Sequence, residues 1–168
     1  MKQALLLRRL YDTLAPVDKD TLDWMSKQPI NEEFFVEVND LSKADIRRVC
    51  QNKLYWSWIA DISQTDINEY AGWTKDEWHI YFKKEYLSKI YERDNTDYAI
   101  MMVTLRDVYR SGLQEESKAM WEWVINETST TKAKVKQFSE YLQDIELFCH
   151  RKGIYLRTDP EIYKLAVK

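Results

Sequence analysis

Side chains that can bind phosphates and nucleic-acid bases are concentrated between residues 41 and 56. Four cations accompany a single acid, Asp45, in this stretch, which gives it a net charge of +3. Arginine and lysine contact phosphates, whereas glutamine and asparagine can hydrogen-bond bases or backbone. Spacings of three and four residues place Arg47 and Gln51 on one side of a helix, with further candidates on or beside that side: Lys43, Arg48, Asn52 and Lys53. This pattern predicts a DNA-contacting face, and it also fits a solvated helix surface or a Gln51–Asn52 pair that organises a turn or a dimer.

A second set of cations begins the last long helix that the sequence predicts. Lys132, Lys134 and Lys136 follow directly after Ser129-Thr130-Thr131. Hydroxyl groups and free backbone N–H groups at a helix N-terminus favour phosphate binding. Lysines oppose the helix dipole there, and a bound phosphate would offset that unfavourable placement. We therefore predict DNA contacts from Thr131 and the three lysines, and from cations near the other end of that helix: Arg151, Lys152 and Arg157.

Groupings of residues that would support catalysis are sparse. His79 and His150 lie far apart in the sequence, and the three glycines cannot form a phosphate-binding loop. Magnesium-dependent nucleases need clustered carboxylates. Each acidic pair in this chain has a simpler explanation in a solvated face, a helix start or a turn: Asp61 with Asp66, Asp76 with Glu77, and Asp159 with Glu161. We expect no enzymatic activity, no cofactor and no metal, and the alternative is a metal-dependent DNA endonuclease that uses Asp61 or Asp66.

The composition is that of one folded domain. Of the 168 residues, 45% are hydrophobic and 14% are aromatic, which is enough for a packed core. The net charge is −3, so basic character is local: residues 10–40 carry eight acids against two lysines. No apolar run reaches the roughly 18 residues that a membrane span needs, and Cys50 and Cys149 indicate reduced thiols. We expect a soluble cytoplasmic protein that contacts no membrane.

Hydrophobic periodicity predicts a mostly helical chain, with long helices around 43–63, 74–91, 96–110 and 132–152. Ser42 and Thr74 are expected to cap the first two of these, and Glu77 would complete a capping box with Thr74. The last helix should begin at the Ser129-Thr130-Thr131 cap and end at Gly153. Two segments add strand character: Phe34–Val38 has the strongest strand pattern, whereas residues 3–11 fit a helix or a strand. The segment Val124–Thr128 is similarly open.

The order of these residues resembles the NinB (Orf) family of phage recombination proteins. In the first half, the resemblance is carried by Arg47, Gln51-Asn52, Trp56, Asp61-Ile62-Ser63, Gly72-Trp73 and Trp78. In the second half, it is carried by Ser129-Thr130-Thr131-Lys132, Phe138, Tyr141-Leu142 and Gly153-Ile154. The chain departs from the family in having Arg at position 48, where a small Ser-like residue is common, and in a long helical insertion over residues 94–127.

The resemblance implies a domain that dimerises, binds single-stranded DNA, and helps a recombinase or annealing protein to load in the presence of the host single-strand-binding protein. It also implies a strand at residues 3–9 that pairs with Phe34–Val38. The expected fold is therefore a mostly helical α+β single domain over residues 1–168, with a small N-terminal β element. The expected function is that of a non-enzymatic recombination mediator in the host bacterial cytoplasm. A protein adaptor that binds no DNA is a further alternative.

Overall fold

The computed structural model describes residues 7–10, 13–16, 19–27, 42–65 and 68–167, and helices dominate them. Only three glycines and three prolines occur in the sequence, so few positions disfavour a helix interior. A 3₁₀ turn at Asn68–Tyr70 precedes the third helix. In chain order the α-helices are α1 (Lys19–Ser26), α2 (Lys43–Ile62), α3 (Lys75–Phe82), α4 (Ser88–Asp94), α5 (Thr96–Arg110), α6 (Gln114–Glu127), α7 (Val135–Lys152) and α8 (Pro160–Val167).

The α+β class predicted from the sequence is wrong. The described residues from Ser42 onward are 79% helical and contain no strand. Near the N-terminus two four-residue segments, β1 (Leu7–Leu10) and β2 (Thr13–Pro16), pair antiparallel with each other. Such a local two-stranded ribbon is too small to form a layer on which helices could pack. Phe34–Val38, the predicted partner of residues 3–9, lies outside the described residues.

Helix boundaries follow the local signals of the sequence closely at three places. The Ser42 hydroxyl accepts a hydrogen bond from the Asp45 N–H at 3.2 Å and so caps α2. The capping box at α3 is confirmed, since Thr74 Oγ1 accepts from the Glu77 N–H at 3.3 Å and the Glu77 carboxylate accepts from the Thr74 N–H at 2.7 Å. Gly153 ends α7 with φ of 71°, a left-handed conformation that side chains disfavour.

The predicted start of the last helix is wrong by three residues. Helix α7 begins at Val135, and the Lys134 N–H donates to Gln137 Oε1 at 2.9 Å. The hydroxyls of Ser129 and Thr131 bond each other at 2.8 Å instead of capping the helix. A buried glutamine that accepts from the cap residue therefore replaces the expected Ser-Thr-Thr cap. The open segment Val124–Thr128 is also settled, because α6 continues as helix to Glu127.

A π-helical segment, Lys83–Leu87, joins α3 to α4 without a break. Lys83 is buried within it, and its Nζ donates to the carbonyl oxygen of Asn126 at 2.8 Å. Burial lowers the pKa of Lys83 below its ordinary value. This bond satisfies a carbonyl in the last turn of α6, where no helical N–H is available to do so.

Among the helices in the described ranges, none combines the length and apolar character that crossing a bilayer requires.

The described chain divides into two compact units, with the boundary inside α2. The first unit holds the residues up to Leu54 and from Arg157 onward, and the second holds Tyr55–Leu156. The core of the second unit is aromatic: Trp78 stacks on Phe82 at 5.4 Å between ring centroids, and Phe82 meets Phe148 edge-on at the same distance. Many of the aromatic side chains of the sequence therefore pack α3 against α7.

Helices α5 and α6 form an antiparallel hairpin within the second unit and correspond to most of the 94–127 segment predicted as an insertion. Gly112 in the connecting turn has φ of 96°. Met102, Leu105 and Val124 form a small core between the two helices. Polar contacts fix their register, because the Ser117 hydroxyl donates to the Leu105 carbonyl at 2.9 Å. The hairpin is therefore an ordered element with its own packing.

Loss of the Thr74 cap should destabilise the second unit. Thr74→Ala removes the hydroxyl that accepts from Glu77, and we expect the free energy of unfolding to fall by about 1 kcal/mol. Thr104→Ala is the matched control, since Thr104 is exposed within α5 and its hydroxyl bonds only the preceding turn. Urea unfolding followed by circular dichroism measures both variants. Equal stability of the two variants would contradict the assigned cap.

Candidate functional site

Two of the predicted DNA-contacting residues on α2 are engaged by the last helix. Arg47 is half-buried, and its Nε and Nη2 donate to the carbonyl oxygens of Ala166 and Val167 at 3.3 Å and 3.1 Å. Gln51 is only 2% exposed, and its Nε2 donates to the Ala166 carbonyl at 3.0 Å. The last carbonyls of a helix lack intrahelical partners. Arg47 and Gln51 therefore secure the end of α8 within the first unit.

The remaining predicted residues on α2 are more accessible. Arg48 is exposed and lies 3.8 Å from Asp45, one helical turn away, in a solvent-exposed ion pair of little strength. Asn52 is exposed and Lys53 is half-buried. Lys43, Arg48 and Asn52 are thus the members of this set that are exposed on the surface. Sequence spacing alone grouped them with Arg47 and Gln51 because it cannot show which helix side another element covers.

The lysines at the start of α7 form the most available basic group. Lys132, Lys134 and Lys136 are all exposed, and their side chains have no ion-pair or hydrogen-bond partner among the described residues. Thr131 is exposed beside them. The predicted set is therefore brought together at one helix end, although the cap that was expected to organise it is absent.

Two carboxylates near these lysines, Asp94 and Glu140, share one arginine. Arg93 at the end of α4 donates from Nη2 to Glu140 at 2.8 Å and from Nε to Asp94 at 2.7 Å. Hydrogen bonds from Arg93 and then Gln137 lower the pKa of Asp94 to about 2. Both carboxylates consequently stay ionised and paired near neutral pH. Lys134 and Lys136 also attract Asp94 and Glu140, respectively, at a range longer than an ion pair.

The cations at the far end of α7 differ from one another. Arg151 is exposed, whereas Lys152 pairs with Glu69 at 3.1 Å and lies 5.7 Å from the ring centroid of Tyr70. Arg157 is exposed and belongs to the first unit. An 18-residue helix at 1.5 Å per residue separates this end of α7 from its lysine-rich start by about 27 Å. A strand contacting both ends would have to run along the helix.

A polar network that sequence reasoning missed lies in the core of the second unit. The Tyr55 hydroxyl lies 2.6 Å from His79 Nδ1 and 3.2 Å from the Tyr141 hydroxyl. Trp56 stacks on the His79 ring at 5.1 Å between centroids. Burial lowers the pKa of His79, and burial raises that of Tyr141 well above its ordinary value. No spacing rule pairs residues 55, 79 and 141, because their contact depends on how α2, α3 and α7 pack.

Carboxylates considered for a metal site are placed in structural roles or in the core. Glu77 belongs to the α3 capping box, and Asp159 caps α8 by accepting from the Glu161 and Ile162 N–H groups at 2.9 Å and 3.2 Å. Asp61 is buried, and Asp66 lies outside the described residues. Within the described part of the chain, no group of three histidine, cysteine or acidic residues is placed to hold a metal ion.

Comparison with known proteins identifies no relative of this chain. No protein-family model matches the chain, and no curated protein or solved structure matches it either. The similarity to the NinB family therefore rests on the ordered residues named above.

Alanine variants at Arg47 and Arg48 should differ in stability. Arg47→Ala removes the donor to the Val167 carbonyl at the end of α8, whereas the Ala166 carbonyl keeps its bond from Gln51. We expect a loss of about 1–3 kcal/mol in the free energy of unfolding. Arg48→Ala removes an exposed side chain and should change stability by less than about 0.5 kcal/mol. Chemical denaturation of the two variants measures this difference. A smaller effect of Arg47→Ala than of Arg48→Ala would show that the α8 contact is unimportant.

The stability of the protein should depend on pH through His79. Since its pKa is lowered in the folded state, the unfolded chain binds more protons below about pH 6.5, the ordinary histidine pKa. The free energy of unfolding therefore falls as pH decreases through that value. In His79→Gln this part of the pH dependence should be missing when urea unfolding is compared at pH 7.5 and 5.5. An unchanged dependence in the variant would rule out His79 as its source.

Proposed function

We propose that this protein is a phage-type recombination mediator that binds single-stranded DNA and assists the loading of a recombinase or annealing protein. The observation that carries the proposal is the exposed group Lys132, Lys134 and Lys136 at the start of α7, which forms no ion pair with any residue that the structure describes. On a chain with a net charge of −3, a local concentration of free cations suits a polyanion held along a narrow track. The host bacterial cytoplasm is the proposed site of action.

The placement of these lysines favours an anion as their ligand. Three cations near the positive end of a helix dipole repel that end and one another. A phosphate backbone would offset both repulsions, because each phosphate is negative and each contact releases a counterion. Arg151 is an exposed cation near the other end of α7 that could extend the contact along this helix. Phosphate contacts of this kind give affinity without base sequence preference.

Exposed aromatic rings supply the second component of single-strand binding. Tyr155, which follows α7, is 82% exposed, Trp123 on α6 is 64% exposed, and Trp56 on α2 is 41% exposed. Trp58, two positions after Trp56, is fully buried. Unpaired bases stack on such rings regardless of sequence, whereas bases in a duplex are covered by their neighbours. The combination of free cations and open rings thus supports single strands over duplexes as the ligand.

The resemblance to the NinB family supports the recombination context, the homodimer and the partners. A dimer would place a second copy of the lysine group on the same strand. The proposed partners are the host single-strand-binding protein and a recombinase. They are suggested by the family and by the acidic stretch at residues 10–40, which carries eight acids against two lysines.

Charge reversal at the start of α7 tests this proposal. In the triple variant Lys132→Glu, Lys134→Glu, Lys136→Glu, the slope of log affinity against log salt for a labelled oligothymidylate should fall by about 2. Affinity at low salt should fall by more than roughly tenfold. The matched control reverses three exposed lysines elsewhere, Lys19, Lys27 and Lys75. Fluorescence anisotropy gives the affinities.

Two outcomes would contradict the proposal. The first is a triple variant that binds the strand as tightly as the control variant does. The second is a wild-type protein that binds no single-stranded DNA, which together with capture of a single-strand-binding protein would favour the adaptor. Cleavage of the strand with magnesium, lost in Asp61→Asn, would instead favour the endonuclease.

A further inference from the structure

A cleft of about 490 Å³ lies in the second unit beside the α5–α6 hairpin and the π-helical segment. Its size falls within the roughly 300–1,000 Å³ of most small-ligand sites. Lys84 of the π segment, Arg106 and Arg110 of α5, and Lys118 of α6 line it, and Glu115 is the acid in its wall. None of these residues was singled out from the sequence. The cleft is therefore a basic feature distinct from the lysines of α7.

The charges in this cleft are only partly balanced. Arg106 donates to both carboxylate oxygens of Glu92 at 2.7 Å, and Arg110 lies 3.3 Å from Asp107 in an exposed pair. Lys84 and Lys118 are exposed, and neither side chain has an ion-pair partner among the described residues. Two lysines from different helical segments thus line the cleft without an ion-pair partner among the described residues. An anionic group of a ligand would lie between these charges.

Two aromatic side chains give the cleft an apolar, planar component. Tyr109 and Trp121 both line it. The indole Nε1 of Trp121 is buried, and it has no hydrogen-bond acceptor in the part of the chain that the structure describes. Because this N–H is buried, a ligand in the cleft would contact the ring of Trp121 and not its donor. A ligand that carries a flat ring would match the wall that Trp121 and Tyr109 form.

We propose that the cleft binds a nucleotide of single-stranded DNA, with its phosphate between Lys84 and Lys118 and its base against Trp121 and Tyr109. This inference rests on the proposed function and gives that function a second contact surface. An acidic peptide would satisfy the two ammonium groups but has no flat ring for the aromatic wall. The π segment is consistent with a site here, because π-helical turns occur frequently at functional sites.

The binding test compares two charge-matched double variants of the full chain. Lys84→Glu with Lys118→Glu should bind a labelled oligothymidylate roughly tenfold more weakly at low salt than wild type does. Lys19→Glu with Lys75→Glu carries the same change in net charge on exposed lysines outside the cleft and should bind like wild type. Circular dichroism checks that each variant is folded. The four lysines are exposed, so their replacement should leave packing intact.

A second measurement is made on the unmodified protein, so it does not depend on how a cleft variant binds DNA. Titration with unlabelled oligothymidylate should shift the Trp121 indole signal in a proton–nitrogen correlation spectrum, assigned through Trp121→Phe. Thymidine monophosphate in a parallel titration should cause a smaller shift at equal concentration. An equal or larger shift with the mononucleotide would replace the strand with a free nucleotide as the ligand, and a shift only with a polyglutamate peptide would overturn both.

Failure of this inference can be told apart from failure of the proposed function. If wild type binds the strand while the cleft variant and its control bind equally well, the cleft is not a strand site and the function stands. If wild type binds no strand, the proposed function fails, and the assignment of the cleft to a strand fails with it.

Discussion

The structure depends on satisfying the carbonyl groups at the ends of its helices. In the first unit, Arg47 and Gln51 donate to the last turn of α8, and in the second unit the buried Lys83 donates to the last turn of α6. Each donor belongs to another helix, so each bond is also a tertiary contact. A helix end buried without a donor would be costly. Long polar side chains therefore stabilise this fold by donating hydrogen bonds to helix ends.

This use of polar side chains decides which cations remain for a ligand. Arg47, Lys83 and Arg93 are committed to carbonyls or carboxylates. The lysines at the start of α7 and the pair Lys84 and Lys118 are exposed without such partners among the described residues. The cations proposed to bind DNA are consequently those that make no structural contact in the described part of the chain. The most basic stretch of the sequence, residues 41–56, supplies only some of them.

Local signals allowed much of the helical structure to be predicted. The Thr74–Glu77 box and the Gly153 end depend on residues within one turn, and both occur as expected. The α+β class and the cap of α7 were wrong because single segments do not show their partners. Gln137 caps α7 while its amide donates to Asp94, 43 positions away. The lysine group of α7 could be predicted because its members are neighbours in the sequence. The cleft could not be predicted, because its walls form only when α5 and α6 pack together.

The central claim, that free cations on this acidic protein hold a single strand, is tested most directly with the wild-type chain. Fluorescence anisotropy would compare an oligothymidylate with a duplex of equal length at roughly 50 and 200 mM salt. The account predicts tighter binding of the single strand, with an affinity that falls by more than about tenfold between the two salt concentrations. Equal binding of strand and duplex, or an affinity that does not change with salt, would contradict it.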